Sequence, residues 1–167
     1  MPETAGIYWL ASYPKSGNTW FRIFLAHLLN TSDEALDLNH IQTGAIASAR
    51  NWLDEALGFD SAHLSHDELD NLRPMIYAWH AQEASKPTYH KIHDAYTYFP
   101  DGRALVPPDA CIGALYFIRN PLDIAVSLAN HLSCSIDKAI EVMNLSDYAF
   151  CSSHKKQHDQ VRQYLLS

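Results

Sequence analysis

The sequence has 167 residues, of which 47% are hydrophobic and 19% are charged, a composition that suits one globular domain rather than a disordered chain. Its formal net charge of −7 argues against a nucleic-acid-binding protein, which would carry a basic face. The three cysteines form no CxxC pair, which favours reduced thiols over a disulfide framework. No run has the length of a membrane span and the start is not a signal-peptide pattern, so we expect one cytoplasmic domain over residues 1–167 with no membrane partner.

The first half of the chain predicts one strand followed by helices. Residues 7–11 are an apolar run typical of a buried parallel strand, and the almost wholly apolar segment 20–29 after the next turn predicts a buried helix. Residues 41–57 and 67–84 place apolar side chains at intervals of three and four, which predicts two more helices. Pro74 is a potential break in the second of these.

The second half alternates strands with helices. Residues 88–93 are rich in β-formers and predict a strand, residues 96–108 are rich in proline and glycine and predict a loop, and residues 111–118 predict a second buried strand. Three further helices are predicted at residues 122–131, 135–143 and 155–166. This alternation predicts an α/β fold with a mainly parallel central sheet flanked by helices.

Residues 12–20 combine a turn with the start of a helix and are typical of an anion site. Backbone N–H groups at a helix N-terminus lack internal partners, and the helix dipole adds positive potential there. Lys15 adds a full charge, Ser16 and Thr19 add hydroxyls, and Gly17 permits close approach to the backbone. An ordinary strand-to-helix turn with a serine cap and a solvated lysine fits the same spacing.

A second candidate site for contact with a ligand follows the third predicted strand. Arg119 stands at the carboxyl end of that strand, where ligands of open α/β sheets bind, and Ser127 lies about two turns into the next helix. A guanidinium there suits a phosphate. The spacing is equally compatible with an ion pair between Arg119 and Asp123 four residues on.

Lys91 and His93 end the second predicted strand, and their spacing puts both side chains on one face. A histidine near its reference pKa can take up a proton at neutral pH, although a histidine at a strand end is commonly a plain surface residue. Several histidine pairs have ligand spacing, for example His90 with His93, but no cysteine or carboxylate completes a metal set. We therefore expect no metal.

Three segments resemble one family, the PAPS-dependent sulfotransferases, where PAPS is 3′-phosphoadenosine-5′-phosphosulfate. Residues 13–20, YPKSGNTW, resemble the family's 5′-phosphosulfate loop YPKSGTTW, with Asn18 in place of the first threonine of that pattern. Residues 119–127, RNPLDIAVS, resemble its 3′-phosphate motif RNPxDxxVS. Residues 91–93, Lys-Ile-His, resemble its Lys-x-His element.

The resemblance implies a role for each matching residue. The expected PAPS contacts are Lys15, Ser16, Gly17, Asn18 and Thr19 to the 5′-phosphosulfate, Trp20 near the adenine, and Arg119 and Ser127 to the 3′-phosphate. The expected catalytic residues are His93 as base, with Lys15 and Lys91 supplying positive charge. The implied reaction moves a sulfuryl group from PAPS to the hydroxyl or amine of a small molecule, without a metal.

The same resemblance implies a three-layer P-loop-like fold that is truncated at its C-terminus. The family's Gly-rich basic loop, a pattern like RKGxxGDWK, does not follow residue 127 in this sequence. We therefore expect a partial sulfotransferase domain, open to self-association into a homo-oligomer. A PAPS-binding module of weak or no activity is the alternative. A P-loop kinase or NTPase is a third reading, disfavoured because its lysine would follow the second glycine of the loop.

Overall fold

The computed structural model describes residues 5–31, 43–153 and 159–165. Its elements in chain order are β1 (Gly6–Ser12), α1 (Asn18–Leu29), α2 (Arg50–Leu57), α3 (His66–Glu83), β2 (Pro87–Ile92), β3 (Gly113–Phe117), α4 (Pro121–Leu132), α5 (Ile136–Met143), β4 (Ala149–Phe150) and β5 (Gln163–Tyr164). Within these described ranges, none of the helices combines the length and the apolar character that crossing a membrane requires.

The central sheet has three parallel strands in the order β2-β1-β3. In its register Ala11 lies opposite Ile92 on one side, and Ser12 lies opposite Phe117 on the other. The carboxyl ends of the three strands therefore meet at one edge, from which the loop after β1, the residues after β2 and the turn after β3 all depart. The predicted α/β fold with a parallel sheet is confirmed, and this edge is the expected ligand side.

The main core lies between the sheet and the helices α2 and α3. Trp9 of β1 is buried against Tyr77 of α3, with ring centroids 5.1 Å apart in an edge-to-face arrangement, and its indole N–H donates to the carbonyl of Ala110 at 3.1 Å. Leu53 of α2 and Leu69 of α3 are completely buried in the same cluster. This packing fixes β1 at the centre of the sheet, so the loop after it leaves from a rigid support.

Helices α1, α4 and α5 form where the sequence predicted helices. α1 is not buried as predicted, because Trp20, Phe24 and Leu28 are 71%, 50% and 68% exposed. α4 begins at Pro121 in its first turn, and α5 begins after Ser135. The Ser135 hydroxyl accepts a hydrogen bond from the backbone N–H of Lys138 at 3.2 Å, as expected of an N-cap. Pro121 suits its position because the first-turn N–H groups of a helix have no partner to lose.

The potential break at Pro74 is wrong, because α3 runs through this residue without interruption. A proline inside a helix removes a hydrogen bond at a cost of about 3 kcal/mol. Here the buried side chains on both sides of it, Leu69 and Tyr77 among them, hold the helix against the core. A capping box between Ser65 and Glu68 also stabilises the first turn.

The predicted helix over residues 41–57 is correct only from Arg50 onward. Residues 43–49 are not helical, and residues 41–42 lie outside the described part of the chain. Ile46 forms a parallel bridge with Lys91, and the N–H of Ala47 donates to the Lys91 carbonyl at 2.7 Å. Pairing with the edge of β2 therefore overrides the helical spacing of the apolar side chains here.

The predicted helix over residues 155–166 is wrong for residues 159–165, which are extended and contain β5. Residues 154–158 and 166 lie outside the described part of the chain. β5 pairs with β4 in antiparallel register, and the N–H of Tyr164 donates to the Asp94 carboxylate at 3.0 Å. The N–H of Val161 donates to the Ser48 carbonyl at 2.8 Å. These long-range partners replace the internal hydrogen bonds of a helix.

The third predicted strand, β3, exists but is not buried as predicted. It forms an edge of the sheet as described, with β1 as its neighbour. Leu115 and Tyr116, on opposite faces of the strand, are 46% and 67% exposed. Its apolar sequence is typical of a strand covered on both faces, but only its ends are partly covered, for example where Phe117 packs against Phe21 with ring centroids 4.7 Å apart.

Candidate active site

The loop between β1 and α1 has the backbone of an anion-binding turn. Lys15 and Gly17 both have positive φ, 69° and 97°, and for the lysine this is a strained conformation of the kind found at functional sites. The N–H of Ser16 closes the turn on the carbonyl of Tyr13 at 3.3 Å. Phe21 is the first residue whose N–H enters the helix ladder, donating to the Gly17 carbonyl at 3.1 Å. The N–H groups of the residues just before it remain available to an anion.

The side chain of Asn18 faces the sheet rather than the open side of the loop. Its amide nitrogen donates to the Leu10 carbonyl at 2.7 Å and to the Ser12 hydroxyl at 3.2 Å, which ties the start of α1 to β1. The buried hydroxyl of Ser16 and the amide oxygen of Asn18 have no hydrogen-bond partner among the described residues. Asn18 therefore supports the loop with its side chain, and only its backbone N–H remains as a donor for the predicted anion contact.

Arg119 connects two of the segments identified in the sequence, residues 13–20 and residues 119–127. Its guanidinium donates to the Lys15 carbonyl at 3.0 Å across 104 residues of sequence. The expected alternative, an ion pair between Arg119 and Asp123, does not form in the described structure. Asn120 caps α4 through the N–H of Leu122 at 3.0 Å, so the turn that carries Arg119 is held in place.

Eight of the ten predicted site residues line one cavity of about 540 Å³ at the carboxyl edge of the sheet. They are Lys15, Gly17, Asn18, Thr19, Lys91, His93, Arg119 and Ser127, whereas Ser16 and Trp20 do not line it. Lys15, Lys91 and Arg119 are basic, and no aspartate or glutamate lines the cavity within the described residues. In a chain of net charge −7, this concentration of positive charge marks a site for an anion.

Trp20 is placed differently from the other predicted contacts. Its side chain is 71% exposed and stacks on Phe24, with ring centroids 6.1 Å apart and planes 5° apart. The ring belongs neither to the core nor to the wall of the cavity, although Thr19 beside it does line the cavity. Its contact with an adenine stays a prediction.

His93 is held as a neutral imidazole with one nitrogen engaged. Its Nδ1 lies 2.7 Å from the Ser12 carbonyl oxygen, which can only accept, so Nδ1 carries the proton. Burial, together with the nearby Lys91 ammonium, lowers the pKa of His93 to about 4. The side chain is therefore uncharged at neutral pH, and Nε2 carries the lone pair that can accept a proton.

The pKa of Lys91 is also affected by its buried position and by the positive charges near it. Burial lowers its pKa to about 8, and the charges of Arg22 and Lys15 act in the same direction. A bound anion would offset this repulsion and raise the pKa again. A negatively charged ligand therefore suits this group of cations.

His90 has a separate partner on the opposite side of β2. Its Nε2 lies 3.2 Å from Nε2 of His80, and its ring packs against Trp52 with centroids 4.9 Å apart. Burial, with the His80 ring second, lowers the pKa of His90 to about 4. His90 and His93 therefore do not face one ligand. Among the described residues no group of three histidine, cysteine or carboxylate side chains has an arrangement that could hold a metal ion.

The end of β2 is anchored by a buried ion cluster, defined as Arg73, Asp70, Asp94 and Arg162. The Arg73 guanidinium is 2.6 Å from the Asp94 carboxylate and 3.4 Å from the Asp70 carboxylate. Asp70 also pairs with Arg162 of the last described segment. Asp94 follows His93 directly, so the cluster fixes both the candidate base and the C-terminal strand.

Sequence reasoning missed the remaining residues that line the cavity, which include His131, Phe150, Gln160 and Gln163. His131 stands four residues after Ser127 on α4, so helical spacing could have identified it. Phe150 and Gln163 are adjacent only because β4 pairs with β5. No motif marks these residues in the sequence.

Stability should depend on pH through the two buried histidines. The pKa values of His90 and His93 are about 4 in the folded chain, below the ordinary value near 6.5. The unfolded chain therefore binds protons that the folded chain does not, and stability falls as pH drops from 6.5 towards 4.

We expect the protonation of each histidine to lower the free energy of unfolding by roughly 2 kcal/mol between pH 7 and pH 5. Urea unfolding at both pH values measures the loss, and a His90→Gln variant should show a smaller one. An unchanged pH dependence in that variant, judged against the exposed-site control His63→Gln, would contradict the assignment.

The sequence of nearly the whole chain is similar to one family of known proteins. A family model described as a sulfotransferase domain matches residues 7–165. No curated protein matches the chain at a significant level. The match covers nearly the whole chain, including the loop after β1, the end of β2 and the turn before α4, and the family's chemistry is transfer of a sulfuryl group. The chain with this basic cavity therefore belongs to the sulfotransferase domain family.

Proposed function

We propose that the chain transfers the sulfuryl group of PAPS to a hydroxyl or amine on a small-molecule acceptor. The observation that carries the proposal is the cavity in which Lys15, Lys91 and Arg119 meet with no carboxylate among its described lining residues. Such a site suits a ligand with several negative charges. His93, neutral and with Nε2 available, supplies the base that transfer to a hydroxyl requires.

The residues present fit the charge pattern of PAPS, which carries a phosphosulfate and a separate 3′-phosphate. The phosphosulfate would lie at the start of α1, on Lys15 and the helix N–H groups, with the unpartnered Ser16 hydroxyl close to the same turn. Arg119 and Ser127 would hold the 3′-phosphate. The volume of about 540 Å³ lies within the usual range for small-molecule sites. Trp20, exposed at the start of α1, offers a ring face to the adenine.

The proposed reaction is an in-line displacement at sulfur. The acceptor oxygen forms a bond to sulfur while the bond from sulfur to the 5′-phosphate oxygen breaks. His93 takes the acceptor proton on Nε2, and the Ser12 carbonyl stabilises the resulting imidazolium through Nδ1–H. Lys15 neutralises the charge that develops on the departing phosphate, and Lys91 adds positive potential beside it.

Removal of the loop lysine should abolish nucleotide binding. We expect 3′,5′-adenosine bisphosphate at millimolar concentration to raise the melting temperature of the unmodified chain, because a ligand that binds only the folded state stabilises it. The Lys15→Ala variant should lose this shift, since the charge at the phosphosulfate position is gone. Differential scanning fluorimetry measures both.

A matched control distinguishes the site from general electrostatic attraction. Lys86 precedes β2 and is exposed at the opposite edge of the sheet, so Lys86→Ala removes the same charge without touching the cavity. This variant should keep the full shift. Absence of a shift in the unmodified chain, or equal loss in both variants, would overturn the proposed function.

A further inference from the structure

The cavity that contains the phosphate loop is also lined by an amide group held in a fixed orientation, that of Gln160. The side-chain oxygen of Gln160 accepts hydrogen bonds from the Ser48 hydroxyl at 3.2 Å and from the Gln163 amide at 2.8 Å. Ser48 and Gln163 are themselves almost completely buried, at 1% and 3% exposure. The other end of the Gln160 amide has no hydrogen-bond partner among the described residues, and Gln160 lines the cavity.

The surroundings of this amide combine polar and apolar groups. His131 contributes an imidazole to the same cavity and Phe150 contributes a half-buried aromatic ring. A ligand that placed only apolar atoms against these residues would remove water from the Gln160 amide without replacing its hydrogen bond, which is unfavourable. A hydroxyl, which both donates and accepts, can pair with the amide whichever of its ends faces the cavity.

The cationic side chains distinguish this cavity from its neighbour. His93 also borders a second cavity of about 560 Å³, whose lining includes Trp9, Ile92 and Tyr116. Lys15, Lys91 and Arg119 line the first cavity and not the second. Because the attacking oxygen has to reach a sulfur held by these three residues, the first cavity, which contains both His93 and Gln160, is the better place for the acceptor.

We propose that the acceptor is a polyhydroxylated, sugar-like molecule, and that Gln160 is a specificity-determining residue for it. One hydroxyl faces His93 and is sulfated, a second hydroxyl pairs with the Gln160 amide, and the apolar face of the ring packs on Phe150. Gln163 and Ser48 act as positioning residues for Gln160. This inference rests on the proposed function, because it takes the donor position from it.

The test compares two acceptors of the same shape in the presence of the donor product. Isothermal titration calorimetry first measures binding of 3′,5′-adenosine bisphosphate, then binding of methyl β-D-glucopyranoside or cyclohexylmethanol to the bisphosphate complex. Both probes have a six-membered ring and a primary hydroxyl, but only the glucoside has the further hydroxyls. We expect the glucoside to bind at least roughly tenfold more tightly, and Gln160→Met to remove most of this preference.

Two further variants separate specificity from structure. Gln160→Glu keeps an oxygen for Ser48 and Gln163 and a second oxygen for a ligand hydroxyl, so it should retain the preference between the two probes, while its negative charge weakens binding of the bisphosphate. Gln82→Met changes an exposed glutamine on α3 and should change nothing. The comparison of the two probes on the unmodified chain stands even if Gln160→Met fails to fold.

Each outcome decides between the two proposals. Tight bisphosphate binding with equal affinity for both probes, with tighter binding of cyclohexylmethanol, or with a preference that survives in folded Gln160→Met would overturn the sugar-like acceptor and leave the proposed function intact. No binding of the bisphosphate would overturn the proposed function and, with it, this inference.

Discussion

The Arg73→Leu variant is expected to lose roughly 3–5 kcal/mol of unfolding free energy. The Arg73 side chain is completely buried and lies 2.6 Å from the Asp94 carboxylate. Its removal leaves two buried carboxylates, Asp94 and Asp70, without this counter-charge, and an unpaired buried charge is far more costly than a lost surface contact. Urea denaturation at neutral pH measures the loss.

The same variant should loosen the C-terminal strand as well. Arg73 donates to the Arg162 carbonyl at 3.0 Å, and Asp94 accepts from the N–H of Tyr164, so the cluster joins β5 to α3 and β2. Hydrogen exchange at the Tyr164 amide should become faster in Arg73→Leu. The control is Arg103→Leu, which breaks an ion pair with Asp101 whose partners are about half exposed and should cost at most about 1 kcal/mol. Equal losses of unfolding free energy in the two variants would show that the buried cluster stabilises the fold no more than the exposed ion pair does.

The His93→Ala variant is expected to lower turnover of sulfuryl transfer by roughly 10²- to 10⁴-fold. Under the proposed function His93 receives the acceptor proton, and the alanine leaves no group at that place to do so. Binding of 3′,5′-adenosine bisphosphate should change by only a few fold, because Lys15 and Arg119 remain. Transfer of labelled sulfate from PAPS to an acceptor panel measures the first quantity, and calorimetry measures the second.

The pH profile gives an independent check of the same assignment. Because the pKa of His93 in the unliganded chain is about 4, kcat/KM should stay level from pH 7 to about pH 5, where an ordinary histidine base would already be protonated. The control His63→Ala removes an exposed histidine and should keep full turnover. Nucleotide binding without any transfer by the unmodified chain would instead support the alternative of an inactive binding module.

Local patterns were sufficient to predict the elements nearest to the candidate site. β1, α1, β2 and α4 appear close to their predicted bounds, since a buried parallel strand and an amphipathic or apolar helix each have a characteristic spacing of side chains. The two helix predictions that failed share one cause. Residues 43–49 and 159–165 follow helical spacing in the sequence, but their backbones pair with β2, β4 and the Asp94 carboxylate, and no local pattern encodes a partner so far away.

The anion-binding chemistry of residues 12–20 was readable from the sequence alone, because a helix start with Lys15, Ser16 and Gly17 carries its own donors and charge. The sequence also determined the class of the protein, through motifs whose family match covers residues 7–165. The tertiary structure decided which groups share a cavity: it placed Arg119 on the Lys15 carbonyl, turned the Asn18 side chain towards β1 and brought Gln160 to the cavity that the loop lines. The physical reason is that charge and hydrogen-bonding capacity belong to single residues, whereas burial, pKa and the direction of a side chain are properties of the neighbours that folding brings to it.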